Sequence, residues 1–158
     1  MRLSTKARYA VMAMVDIAKY TQNVPTSLTA IAERQQLPLA YLEQLFVKLR
    51  KAGLVNSSRG ASGGYMLARL DSDIRILDII TAVDKPLKAV RCDNQSSRGC
   101  QAHGQRCLTH DLWEELGMVV HLFLSRVTLA DVCAKRVLGV GRYGANPLQE
   151  NIQAWAKI

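Results

Sequence analysis

The sequence predicts a mainly α-helical chain with a small β-wing. Three observations carry this: amphipathic segments with caps and breakers over the first 52 residues, two short strand-like runs around a Gly-rich turn at 59–64, and a broad apolar stripe from His110 to Val127. At 158 residues the chain can bury a hydrophobic core without disulfides, as one domain or as a small domain with a helical arm.

Ser4 and Thr5 are the caps expected for a first helix from Lys6 to Tyr20, with Tyr9, Met12, Ala13, Val15 or Asp16, and Ile17 to Tyr20 at helical spacing. Gln22, Asn23 and Pro25 end it. Lys6 and Arg8 lie in its first turn, where the helix dipole disfavours cations, so phosphate contact explains them better than helix stabilisation. Thr26 or Ser27 caps a second helix, Leu28 to Gln36, which Leu37 and Pro38 break. A third helix from Leu39 to Ala52 places Leu42, Leu45, Phe46 and Leu49 on one face and stops at Gly53. Its opposite face carries Ala40, Tyr41, Glu43, Gln44, Val47, Lys48 and Lys51. Gln44 suits adenine, Glu43 suits a cytosine amino group, and Tyr41 and Lys48 suit the phosphate backbone.

Strands from Leu54 to Ser58 and from Tyr65 to Ala68 follow, joined by a turn that begins Arg59-Gly60. Two short helices, a strand, a basic Gly-rich turn and a returning strand in this order make a winged helix-turn-helix, with Arg59 placed to enter a minor groove. The Walker pattern is absent from the glycine run, which argues against nucleotide binding. Ile76, Leu77, Ile79, Ile80 and Val83 suggest a short buried helix that closes this region before Asp84-Lys85-Pro86.

Charge agrees with that assignment. Residues 1–70 hold 10 Lys and Arg against 3 Asp and Glu, whereas residues 71–158 hold 11 against 10. A positive field confined to one region is the electrostatic footprint of a nucleic-acid binder, since phosphate neutralisation releases counterions.

Cys92, Cys100, Cys107 and His110 then gather within a polar segment, spaced C-x7-C-x6-C-x2-H. Three thiolates and an imidazole suit zinc or an iron-sulfur cluster, and donor type leaves both open. No residue positions the histidine for a nucleophilic thiol and no oxyanion loop is visible, so no enzyme is expected. Thr109 opens a helix to Val127 whose stripe of Leu112, Leu116, Val119, Val120, Phe123 and Val127, widened by Trp113 and Leu124, calls for a partner, and a second copy of the chain is the expected one. Thr128 to Asp131 resembles a capping box for a last helix reaching Arg136, on which Cys133 reads as a small buried hydrophobe. His103 and His121 read as surface histidines, and residues 147–158 as a weak amphipathic helix with Leu148, Ile152 and Trp155. No apolar run approaches the ~20 residues that span a bilayer, so a cytoplasmic, nucleoid-associated protein is expected. The expected organisation is a DNA-binding domain over 1–86, a metal-binding loop over 87–110, a dimerisation helix with a short C-terminal helix over 111–136, and a tail over 137–158.

The run Tyr41-Leu42-Glu43-Gln44-Leu45-Phe46, followed by Leu49-Arg50-Lys51, Gly53-Leu54-Val55, Arg59-Gly60 and Gly63-Gly64-Tyr65, and then by the Cys/Cys/Cys/His set, resembles the bacterial iron-sulfur cluster regulators, the IscR-type winged-helix transcription factors. The resemblance covers nearly all of residues 1–136. It implies a homodimer that binds operator DNA and carries one 2Fe-2S cluster per subunit on Cys92, Cys100, Cys107 and His110, received from the iron-sulfur assembly machinery. It implies repression, mainly, of cluster-biogenesis genes, with the apo form on a second operator class. Glu43 would discriminate between classes, Tyr41 and Gln44 would act in the major groove, and Arg59 and Gly60 in the minor groove. Pro38 and Ala40 stand where that pattern has serines, Ala61-Ser62 where it has Pro-Gly, and the ligand loop is longer. A zinc-bound or thiol-redox winged helix controlling cysteine or nitrosative-stress genes is the alternative.

Overall fold

The computed structural model describes residues 3–20, 24–60, 62–84 and 105–137. They form six α-helices and one two-stranded sheet: α1 (Thr5–Tyr20), α2 (Leu28–Gln35), α3 (Leu39–Lys51), β1 (Val55–Ser58), β2 (Gly64–Leu67), a 3-10 turn (Asp71–Asp73), α4 (Ile76–Val83), α5 (His110–Arg126) and α6 (Leu129–Cys133). The fold is mainly helical with a small antiparallel wing, as the sequence predicts.

The caps act as hydrogen-bond acceptors for the first helical N–H groups, which have no partner within their own helix. Ser4 Oγ accepts from Ala7 N at 3.1 Å and Ser27 Oγ from Ala30 N at 3.2 Å. Thr128 and Asp131 bond reciprocally, Asp131 N to Thr128 Oγ1 at 3.0 Å and Thr128 N to Asp131 Oδ2 at 3.1 Å. That capping box starts α6, but the helix stops at Cys133 and not at Arg136. Lys135 turns left-handed (φ +53°), and the Arg136 guanidinium folds back to Asp131 at 3.1 Å.

α1 lies at the centre and packs against α2, α3, α4, α6 and β2. Its inward face is Ala7, Ala10, Ala13, Met14 and Ile17, while Tyr9 and Met12 are only partly buried. Of these alanines the sequence pattern includes Ala13 but not Ala7 or Ala10, and all three are buried where neighbouring helices pack on α1. Leu42, Leu45, Phe46 and Leu49 of α3 and Ile76, Ile79, Ile80 and Val83 of α4 complete the core, as their spacing requires.

α6 returns to this core instead of extending α5. Leu129 is fully buried, Leu129 N donates to Ile74 O at 2.8 Å, and Ile76 N donates to Val127 O at 3.0 Å. Residues 128–133, grouped by sequence with the long helix, therefore share a core with the N-terminal helices. The apolar stripe of α5 itself is largely uncovered: Leu112, Trp113, Leu116, Val119 and Phe123 are all exposed.

In the wing, Val55 pairs with Leu67 and Ser58 with Gly64. Thr26 and Tyr65 exchange backbone hydrogen bonds of 2.9 and 2.8 Å, so β2 also docks on the entry to α2. The Tyr65 ring meets Phe46 edge-on at 4.8 Å. Gly64 makes this approach possible, because a Cβ there would overlap the Thr26 carbonyl group. Gly64→Ala is expected to cost about 1–3 kcal/mol by overpacking. Chemical denaturation reads the loss, and limited proteolysis should cut the wing first; wild-type stability would show that the wing yields without cost.

Candidate nucleic-acid interface and metal centre

α3 is carried on its buried apolar face, so its other face is fixed outward by the same periodicity. Glu43, Gln44 and Lys48 are exposed on it, and Tyr41 is half-buried, its ring edge-on to Tyr9 of α1 at 5.6 Å. That contact joins the helix to the start of α1, where Lys6 and Arg8 are exposed. Lys48 makes a contact that spacing could not disclose: its Nζ donates to Val83 O at 3.0 Å, satisfying a carbonyl at the C-terminus of α4. Lys6, Lys48 and Lys51 line an open depression of about 570 Å³ beside Val83 and Asp84. Arg50 Nη1 reaches Ser57 Oγ at 3.4 Å, which ties α3 to the wing.

Arg59 and Gly60 sit exposed at the wing tip. Gly60 adopts φ +110°, and its carbonyl accepts from Gly63 N at 2.9 Å. Only glycine holds that backbone without strain.

Two of the four sequence-predicted metal ligands fall within the described residues. Cys92 and Cys100 lie outside them, as does His103. Cys107 is half-buried three residues before His110, and His110 N donates to Cys107 O at 3.0 Å, so the two residues share one turn, with Cys107 Sγ 3.8 Å from Thr109 Oγ1. His110 is the first residue of α5 and only 3% exposed. It is not the surface histidine that a position near a helix N-cap suggests. A thiol and an imidazole on one turn, the latter shielded from water, fit a thiolate/imidazole metal centre.

Glu114 extends this site beyond the sequence reading. Its Oε2 stands 3.5 Å from His110 Nε2, and His110, Asp111 and Glu114 can bring one ligand atom each within 4.8 Å of one another. The i, i+4 spacing of His110 and Glu114 was the available signal. Cys133 lies apart on α6, its Sγ 3.9 Å from Val15 O. Burial pushes its thiol pKa up, with the Asp71 charge adding to the effect, which disfavours the thiolate a metal requires. His121 is exposed on α5, and no helix among the described residues is long and apolar enough to cross a membrane.

Comparison with known proteins places this arrangement. Residues 3–135 match the model of the family described as Rrf2, iron-dependent transcriptional regulator. The HTH-type transcriptional regulator IscR of Serratia proteamaculans is 51% identical over 132 residues, covering 84% of this chain and 79% of that protein. Among solved structures, T. potens IscR superimposes with a TM-score of 0.69 at 41% identity, covering 86% of this chain and 88% of that one. CymR, the global cysteine regulator of B. subtilis, gives 0.73 at 35% identity, covering 85% and 98%.

Proposed function

The chain belongs to the Rrf2 family of iron-dependent transcriptional regulators, and from that premise we propose that it is a homodimeric DNA-binding regulator that senses iron-sulfur cluster status. The observation that carries this reading is the buried His110 one turn after Cys107, in a chain 51% identical to an IscR. Cys92, Cys100, Cys107 and His110 would hold a 2Fe-2S centre, which supplies an occupancy sensitive to cluster supply and oxidant. Three thiolates and one imidazole carry less negative charge than four thiolates, so the protein's grip on the centre is adjustable.

His110 opens α5, and the far end of α5 is bonded into the core through Val127 and Leu129. Ligation at His110 would therefore act on a helix whose far end lies beside α4. Lys48 links the end of α4 to α3. The exposed stripe of α5 is the surface expected to meet a second copy, which sets the two α3 helices at a fixed separation.

On each half-site Tyr41, Glu43 and Gln44 would face the major groove, Arg59 and Gly60 the minor groove, and Lys48, Lys6 and Arg8 the phosphates. A carboxylate such as Glu43 discriminates strongly, because a base edge that cannot donate leaves its charge desolvated. Repression of cluster-biogenesis genes by the loaded dimer, with the apo dimer on another operator class, requires that each class prefer one protein state. Linkage then makes bound DNA alter cluster retention reciprocally.

The test is anaerobic purification with assays for iron, acid-labile sulfide and zinc, followed by footprinting of loaded and apo protein. The expected result is a coloured protein with equal iron and sulfide. His110→Ala should lose bound iron by roughly tenfold or more yet keep the apo footprint. A second reading is favoured by the likeness to B. subtilis CymR: a zinc-bound or thiol-redox regulator of cysteine or nitrosative-stress genes. A colourless protein containing zinc, or lacking metal but changing its footprint with thiol oxidation, would establish that reading instead.

A further inference from the structure

Val47 is 58% exposed on α3. It follows Glu43 and Gln44 by four and three residues and Ala40 by two helical turns, so these residues share one strip of the helix. That strip lies opposite the buried Leu42, Leu45, Phe46 and Leu49. Val47 is thus a branched apolar side chain in the middle of a polar face. A β-branched residue brings no gain in helix propensity at such a position. The surroundings specify the occupant that would cover it. Lys48, Arg50 and Lys51 crowd the same end of α3 against the single acid Glu43, which complements a polyanion rather than an apolar protein surface.

Within a major groove, thymine alone among the four bases presents a methyl group, and a small apolar side chain is its natural contact. Resting on the reading of α3 as the helix that enters the groove, we infer that Val47 is a specificity-determining residue: it packs on the C5-methyl of a thymine beside the base edges offered to Glu43 and Gln44. Operators of this chain should therefore carry an A·T pair of fixed orientation at that position. Ala40, two turns earlier, lacks a hydroxyl and so adds no polar group to the strip beyond Glu43 and Gln44.

The experiment begins with duplexes that the purified full-length chain enriches from a random-sequence DNA pool. Each thymine is then replaced in turn by deoxyuridine, which removes only the methyl. At one thymine per half-site, wild-type affinity should fall about fivefold, the equivalent of one buried methyl. Val47→Ala should bind the methylated and unmethylated duplexes within about twofold of each other, whereas Val47→Thr, which keeps one methyl, should retain part of the discrimination. Wild-type indifference to every thymine methyl, or an undiminished fivefold loss in Val47→Ala, overturns the assignment. Failure of the wild-type chain to enrich any duplex is a separate result, which would overturn the DNA-binding reading beneath it.

Discussion

Arg34→Met should destabilise the fold by about 1.5–3 kcal/mol, the worth of hydrogen bonds to a charged group, because it strips a buried carboxylate of its partner, an arginine that itself stays largely in water. Asp16 is 1% exposed in the middle of α1. Arg34 reaches it from α2, Nε standing 3.2 and 3.1 Å from its two oxygens while Nη2 bonds Oδ1, and Gln35 Nε2 adds a bond of 2.7 Å to Oδ2. The hydrogen bond to Asp16 raises the pKa of the guanidinium, which also lies 5.4 Å from the Tyr20 ring centroid. In Arg34→Met the guanidinium's bonds disappear while the carboxylate stays in the core. The expected fall in melting temperature is roughly 5–10 °C for a chain of this size.

The matching control removes both charges. Asp16→Leu with Arg34→Met replaces the buried carboxylate and its exposed partner by apolar side chains and should recover most of the loss, since no desolvated charge is then left in the core. A double-mutant cycle by chemical denaturation separates the two cases. A single-variant loss below about 1 kcal/mol would mean that water or another group reaches Asp16 readily.

This pair also marks where sequence reading stops. Helix starts at Ser4, Ser27 and Thr128, the α3 and α4 core faces and the wing were legible because each is a local pattern of caps, periodicity or turn residues. Asp16 could be placed on a helical stripe, but its partner lies eighteen residues away, and nothing local announces that Arg34 will cover it. The same applies to the tie from Lys48 to Val83 and to the docking of α6, which depend on contacts between distant segments. At the candidate metal centre the donor types were legible in the spacing of Cys107 and His110. The burial of His110 was not, because it depends on how α5 leaves the core. Glu114 stands at a readable i, i+4 spacing from His110, but nothing local announces that the imidazole beside it is enclosed.

The second large effect belongs to α5, where Leu116→Glu should convert the proposed dimer into monomers without unfolding the protomer. Leu116 is 41% exposed within one chain, between Leu112 and Val119 on the same stripe. A charge there costs the isolated protomer little, because the side chain can turn to water. In a two-fold interface the substitution enters twice, and each glutamate must be desolvated against an apolar surface. At about 2–3 kcal/mol per copy, taken from the cost of burying an unsatisfied polar group, the dissociation constant should rise roughly 10³- to 10⁴-fold. Sedimentation across a concentration series measures this, with circular dichroism confirming that the helices persist. DNA affinity should drop with it, since two α3 helices held at a fixed separation engage two half-sites as one event, and separated protomers must bind each half-site independently. A dimer that survives Leu116→Glu at micromolar concentration would show that the stripe of α5 faces something other than its own copy, and the spacing of the recognition helices would then have to be set elsewhere in the chain.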